Sequence, residues 1–211
     1  MSSKQLLPLS GVLSVLIIIA AFIVGGETPE ADDSLAEVVS YYHDHDTALE
    51  IASGLLAVGG FFFLVFTAAI GLTLRRVQDE LKASTILSVA GGIVFVVGVT
   101  LFAGFNFVAA ETVGDVAPIA TQSFSALNAD MFFTVAVGTA AFLIGTGIGV
   151  LKSGALPKWL AWAAIVIGIV AITPAGFFGF LGLGVWTVVA SIMLAMRAGD
   201  AGQDTAPRPA G

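Results

Sequence analysis

Charged residues divide this chain into runs that only a lipid bilayer accommodates. Uncharged stretches of 22, 24, 28 and 21 residues lie between Lys4 and Glu27, Glu50 and Arg75, Lys82 and Glu111, and Asp130 and Lys152. A membrane helix needs about 20 consecutive apolar residues, so each run predicts one span. The run between Lys158 and Arg197 holds 38 residues, too many for one helix. Thr173-Pro174-Ala175-Gly176 interrupts it, and proline lacks a backbone donor, so a hairpin between two spans is expected there. The sequence thus predicts an all-α, polytopic membrane protein: a six-transmembrane-helix bundle over residues 1–198. Its spans fall near 7–26, 48–74, 83–107, 130–151, 158–173 and 177–196. The 14 residues from 116 to 129 are too few to cross. Residues 199–211 are small, polar and proline-containing, and read as a disordered cytoplasmic tail.

Composition agrees. Hydrophobic residues make up 57% of the chain and charged residues 11%, against about 25% charged in an ordinary soluble domain. A soluble enzyme and a nucleic-acid binder are both disfavoured. The chain has no cysteine, which removes disulfides, thiolate catalysis and cysteine-ligated metal. No A-x-A-like site precedes Glu27, where Ile23-Val24-Gly25-Gly26 stands, so the first run reads as an uncleaved span rather than a signal peptide.

If the spans alternate, all eight basic residues share one side. They are Lys4, Arg75, Arg76, Lys82, Lys152, Lys158, Arg197 and Arg208. The positive-inside rule makes that side cytoplasmic, and an even number of spans puts both termini there. The expected location is the bacterial cytoplasmic membrane. Asp79, Glu80, Asp200 and Asp204 are the acids on the basic side, leaving eleven of the fifteen outside. The balance of +4 inside and −11 outside gives the net −7. Trp159 and Trp162 flank Lys158 and suit an interfacial belt.

The first outer loop carries Ser34-Leu35-Ala36-Glu37, a capping box that starts a helix. Leu35, Val38, Val39 and Tyr42 then form one apolar stripe, predicting a short amphipathic helix on the outer membrane surface or on the bundle. Thr47-Ala48-Leu49-Glu50 reads as a second capping box, opening span two. The second outer loop, with Pro118 and Thr121, Gln122, Ser123 and Ser125, suggests another short surface helix.

Two groups of residues are candidates for chemistry. His43 and His45, with Asp44 and Asp46, offer imidazole and carboxylate metal ligands. On a helix, however, i and i+2 point about 200° apart, so a site needs extended backbone or further ligands such as Glu50 or Asp130. The alternative is a solvated, acidic helix end. The second group is polar: Glu50, Asn106, Glu111, Asn128 and Asp130, with Tyr41 and Tyr42 near in sequence. Asn106 is the only amide or charged residue well inside span three, and a buried amide must find partners. The group reads either as an outer ligand pocket or as packing hydrogen bonds, with Asn128 or Asp130 capping span four. No span carries an ionisable residue at mid-depth, which argues against proton coupling. Nothing calls for a cofactor.

Small residues suggest how the spans pack. Gly145 and Gly149 form GxxxG, and Ser88/Gly92 and Ala164/Gly168 share that spacing. Packing within the bundle is the simpler reading, and homo-oligomerisation through span four the sharper one. Ala57-Val58-Gly59, Phe63-Leu64 and Thr67 recur as Ala136-Val137-Gly138, Phe142-Leu143 and Thr146, at an offset of 79. Ala103-Gly104-Phe105 and Ala175-Gly176-Phe177 follow at an offset of 72. Either a two-helix unit is duplicated about an axis along the membrane normal, or abundant small residues coincide by chance.

Three segments carry a resemblance: Gly25-Gly26-Glu27-Thr28-Pro29, Val38-Val39-Ser40-Tyr41-Tyr42 and Gly154-Ala155-Leu156-Pro157-Lys158-Trp159-Leu160. Over most of residues 8–196 the chain resembles a group of six-helix bacterial inner-membrane proteins of unknown function, common in actinobacteria. The resemblance implies six helices in the cytoplasmic membrane and supplies neither activity nor site. The absence of mid-membrane charge and of a catalytic set makes the expected role a non-enzymatic accessory, sensor or lipid- or partner-binding protein. The bilayer is its first partner, with a second copy or a membrane protein as further candidates, and no nucleic acid. The alternatives are a carrier for a small neutral or apolar molecule, and a membrane enzyme with an extracytoplasmic His/acidic site.

Overall fold

The computed structural model describes residues 3–29, 33–76 and 82–203. Among them the chain is all-helical: α1 Ser3–Gly25, α2 Leu35–Asp44, α3 Asp46–Arg76, α4 Ala83–Thr112, α5 Pro118–Asp130, α6 Phe132–Ser153, α7 Lys158–Ala171 and α8 Gly176–Gln203. Among the described residues five stretches are long and apolar enough to cross a bilayer: Leu6–Gly25, Asp46–Arg75, Ala83–Thr112, Pro118–Ser153 and Gly176–Ala198. α7 is apolar but has only 14 residues.

Six helices form a closed ring in the order α1, α3, α4, α6, α7, α8, and α8 returns to α1. Close approaches fix their directions. Gly11 faces Ser191 while Phe22 meets Phe180, so α1 and α8 are antiparallel. The same crossing-over of numbers holds for Gly60/Val96 and Gly71/Val89, and for Ser88/Gly145 and Phe95/Gly138. Lys82, Lys152, Lys158 and Arg197 therefore gather at one end of the ring, and α2 and α5 cover the other.

The tightest seam joins α4 to α6. A Cβ built on Gly91 would lie 2.1 Å from Phe142 N, one on Gly138 2.2 Å from Phe95 N, and one on Gly145 2.4 Å from Ser88 N. Helices associate in lipid by such backbone approach rather than by hydrophobic drive. Gly145 and Gly149 are both buried inside the bundle, Gly149 against Leu74, so this GxxxG serves intramolecular packing. The seam itself uses a spacing of seven, Gly91/Gly98 against Gly138/Gly145, the period of an antiparallel coil. Aromatic rings fill the ring's centre. Phe63 lies 4.5 Å from Phe95 and 5.2 Å from Phe142 between centroids, and Phe142 lies 6.0 Å from Trp186. The Trp186 indole N–H donates to Leu160 O at 2.9 Å.

Several expectations need correction. α8 continues to Gln203, so residues 199–203 are helical, and 204–211 lie outside the described residues. α5 and α6 are nearly continuous, kinked at Met131, whose N–H reaches Asn128 O at 3.2 Å. The short helix expected in the second outer loop is present as α5, with Met131 alone between it and α6. At Thr47 no second capping box forms. His45 closes α2 and its carbonyl accepts from Leu49 N at 2.9 Å, so one residue separates α2 from α3. The Asp46 carboxylate accepts from the backbone and hydroxyl of Thr47 instead. The repeat matches only in part. Phe63/Phe142 and Thr67/Thr146 are buried alike, but Leu64 is exposed and Leu143 buried. Ala103-Gly104-Phe105 lies inside α4, whereas Ala175-Gly176-Phe177 straddles the start of α8, so that second correspondence fails.

Candidate functional site

α2 starts as its sequence dictates. Ser34 Oγ accepts from Glu37 N at 3.4 Å, and Glu37 Oε2 accepts from Ser34 N at 3.0 Å and Ser34 Oγ at 2.7 Å. These bonds hold the Glu37 carboxyl below the ordinary glutamate value. Val38 and Tyr42, one turn apart, are buried, while Leu35 is 39% exposed and falls off the expected stripe. Val38 and Tyr42 pack with Leu49, Ala109 and Ala110, where the ends of α3 and α4 meet α5. α2 therefore rests on the bundle. Tyr41 ties it to α1 by donating from its hydroxyl to Gly25 O at 3.0 Å.

Under this lid sits a buried amide group. Asn106 on α4 is 4% exposed and Asn128 on α5 2%. Asn106 Oδ1 accepts from Tyr42 Oη at 3.1 Å and from Asn128 Nδ2 at 3.3 Å, which uses both of its lone pairs. Burial pushes the Tyr42 phenol up from its ordinary value, against the opposing pull of a hydrogen bond with Ser125. Burial also raises Tyr41. Asn128 Oδ1 and, on α3, Ser53 Oγ are buried without a hydrogen-bond partner among the described residues.

Below the amide group the packing opens. A pocket of about 50 Å³ is lined by Gly25, Gly26, Thr28, Leu49, Ser53 and Asn106, among others. Phe22, Leu56 and Phe102 separate it from a cavity of about 110 Å³ and line both. The larger cavity is wholly apolar, bounded by Ile18, Val99, Phe132, Val135, Phe177 and Phe180 besides those three. Phe180 stacks on Phe95 at 6.3 Å, which joins its floor to the aromatic centre of the ring. Five of the six ring helices contribute; α7 does not.

The expected polar group is brought together in part. Asn106 and Asn128 meet, with Tyr42 as the third member. Glu50 is half-buried and Glu111 exposed, and neither shares a hydrogen bond with that group among the described residues. Asp130 ends α5, and its side chain lies outside the described residues. Asn128 does not cap α6. The residue at that helix start is Met131, with no side-chain cap. His43 and His45 are both exposed. His45 stacks on Tyr41 at 4.5 Å, with its Nδ1 2.9 Å from Tyr41 O. No three His, Asp or Glu side chains among the described residues come together as a metal site. Ser53 and the cavity-lining phenylalanines are the residues that sequence reasoning passes over. Their signals, one hydroxyl in an apolar run and a cluster of Phe at 177, 178 and 180, are common in membrane spans. Comparison with protein-family models, curated proteins and solved structures finds no match.

Proposed function

We propose that the chain is a non-enzymatic protein of the bacterial cytoplasmic membrane that binds an apolar molecule or lipid tail in the outer half of a six-span bundle. The observation that carries this reading is the apolar cavity of about 110 Å³ beneath the lid. A void with no polar lining gives water nothing to bond, so it favours an apolar guest. Its size is near that of an engineered cavity of about 150 Å³ that admits benzene. In this reading both termini are cytoplasmic, on the side of the basic residues, and α2 and α5 form an acidic outer lid with α2 as its amphipathic part. α7 serves as the fifth span. Its 14 residues rise about 21 Å, and a bilayer of about 30 Å adjusts to that by local thinning around the Trp159 and Trp162 anchors. Both tryptophans are well exposed, at 59% and 58%, as anchors must be.

The carrier reading fits less well. A through-path would cross the centre, which Phe63, Phe95, Phe142 and Trp186 occupy. Among the described residues the enzyme reading lacks the convergence of His43 or His45 with Glu50 or Glu111 that would support it.

The test is photolabelling in nanodiscs with a hydrocarbon chain bearing a diazirine. Labels on Phe22, Leu56 and Phe102, lost in Val99→Phe, are expected. Labels spread over bilayer-facing residues such as Phe133 and Phe178, unchanged by Val99→Phe, would overturn the reading. The cysteine-free background also makes topology direct to test. In intact cells an impermeant maleimide should modify Ala36→Cys and spare Ser153→Cys, and the reverse pattern would invert the orientation.

A further inference from the structure

We infer that the lid-end site selects neutral amphiphiles: molecules with one hydroxyl or carbonyl oxygen as head and a short apolar tail. This rests on the binding reading above and specifies its ligand. The 50 Å³ pocket and the 110 Å³ cavity abut across Phe22, Leu56 and Phe102, so a rotamer change of those side chains lets one molecule span both. The cavity takes the tail, of about four to six carbons by comparison with a benzene-sized void.

The pocket supplies the head contacts. Ser53 lines it, is 5% exposed, and its hydroxyl is buried without a partner among the described residues. Six buried hydroxyls lack a hydrogen-bond partner among the described residues, and Ser53 is the one of them that lines this pocket, where a ligand oxygen would offset the cost of leaving it unpaired. Asn106 lines the same pocket with its carbonyl oxygen saturated by Tyr42 and Asn128. Tyr42 and Asn128 engage that oxygen and not the Nδ2 donor. One donor, and one hydroxyl able to donate or accept, suit a single oxygen atom. Among the described residues the pocket lining holds no acidic or basic side chain, so a carboxylate, phosphate or ammonium head would lose its hydration with no counter-charge from them. The lid is itself tied down at both edges, by Tyr41 to Gly25 and by Tyr42 to Asn106, and both acceptor residues also line the pocket.

Four photoreactive six-carbon probes test this in nanodiscs: an alkane, the matching alcohol, the carboxylate and the amine. Labelling at Leu56 and Phe102 is quantified by peptide mass spectrometry. The alcohol is expected to half-saturate at about fivefold to tenfold lower concentration than the alkane, the worth of one or two net hydrogen bonds. The carboxylate and amine should label more weakly than either. Ser53→Ala breaks no hydrogen bond of the described residues, so it should fold normally. It should remove most of the alcohol's advantage and leave alkane labelling unchanged. Asn106→Leu should do the same but also loosen the lid, which a fall in melting temperature will separate. Equal labelling by alkane and alcohol, or an alcohol preference that survives Ser53→Ala, overturns the inference while leaving apolar binding intact. A preference for either charged probe also overturns it. If no probe labels the cavity, the binding reading itself falls.

Discussion

The α4/α6 seam and the lid-end cavity lie on the same helices and are built by opposite means. Along the seam, glycines at 91, 98, 138 and 145 bring two backbones together until no Cβ fits. One turn further on, α4 presents Val99 and Phe102, and α6 presents Phe132 and Val135. There large side chains meet and leave a void. Val135 belongs to both regions, since its backbone N lies 2.8 Å from where a Cβ on Gly98 would be and its side chain lines the cavity. Small residues thus close the bundle, and large ones stop it closing. Rings approach by edges and faces but do not fill a corner between five helices, whereas a backbone pressed on a backbone leaves no gap.

Breaking the seam should have the largest effect. Gly138→Val puts a branched side chain where Phe95 N and Cα already stand, 2.2 and 2.5 Å from the new Cβ. Neither atom can move without displacing α4, so we expect no monodisperse, folded protein on size-exclusion chromatography. Gly104→Ala on α4 meets nothing within 4 Å and should melt at the same or a slightly higher temperature. Equal behaviour of the two variants would show that the seam does not hold the fold.

Next in size is a contrast between the aromatic centre and the cavity rim. Phe63→Ala removes a fully buried ring that touches Phe66, Phe95 and Phe142, and should cost about 3–5 kcal/mol. Phe177→Ala at the rim, where the ring is 58% exposed, should cost less than about 1 kcal/mol. Reversible unfolding in mixed micelles reads both. A rim variant as costly as the central one would mean that the cavity is part of the load-carrying core.

The amide group under the lid is a smaller term. Asn106→Leu leaves the Tyr42 hydroxyl and Asn128 Nδ2 without their acceptor, and should cost about 1–3 kcal/mol. A double-mutant cycle with Tyr42→Phe isolates the direct bond, and strictly additive losses would argue that Tyr42 and Asn106 are neighbours without being partners.

What the sequence made legible follows from which properties are local. Charge-free runs mark apolar helices because a bilayer punishes charge wherever it falls; among the described residues five stretches are long and apolar enough to cross, and the run expected as the fifth span is the 14-residue α7. Asn106 stood out for the same reason. Its co-members were harder, because sharing one end of the bundle is not sharing one face. Glu111 is five residues after Asn106, about 140° round the helix, and it turns outward. Tyr42 turns in because Val38, one turn before it, is buried with it. The GxxxG at Gly145 and Gly149 showed that α6 packs closely but not against what. The seam pairs residues on separate helices, and its spacing of seven emerges only once α4 is set antiparallel to α6. The cavity was not legible at all, since it belongs to the shapes of side chains from five helices rather than to any one segment.

The smallest effect expected is a pH response confined to the lid, and it would sharpen the contrast between a fixed seam and a covered but openable site. The Glu37 carboxylate accepts from the Ser34 hydroxyl and backbone N–H, and these bonds hold its pKa below the ordinary 4.5. A depressed folded-state pKa contributes stability that is fully present above the unfolded value and is lost as pH falls through the folded one. Acidification below the ordinary carboxylate range should therefore fray the start of α2 while the ring stays folded. Hydrogen exchange at residues 34–38 should quicken there, with exchange at 91–98 on the seam unchanged, and Glu37→Gln should shift most of that quickening to neutral pH. The Tyr42 and Tyr41 phenols, raised by burial, stay protonated through this range, so their bonds to Asn106 and Gly25 do not titrate with it. If the whole of α2 and the seam exchanged together, the lid would be an integral part of the bundle.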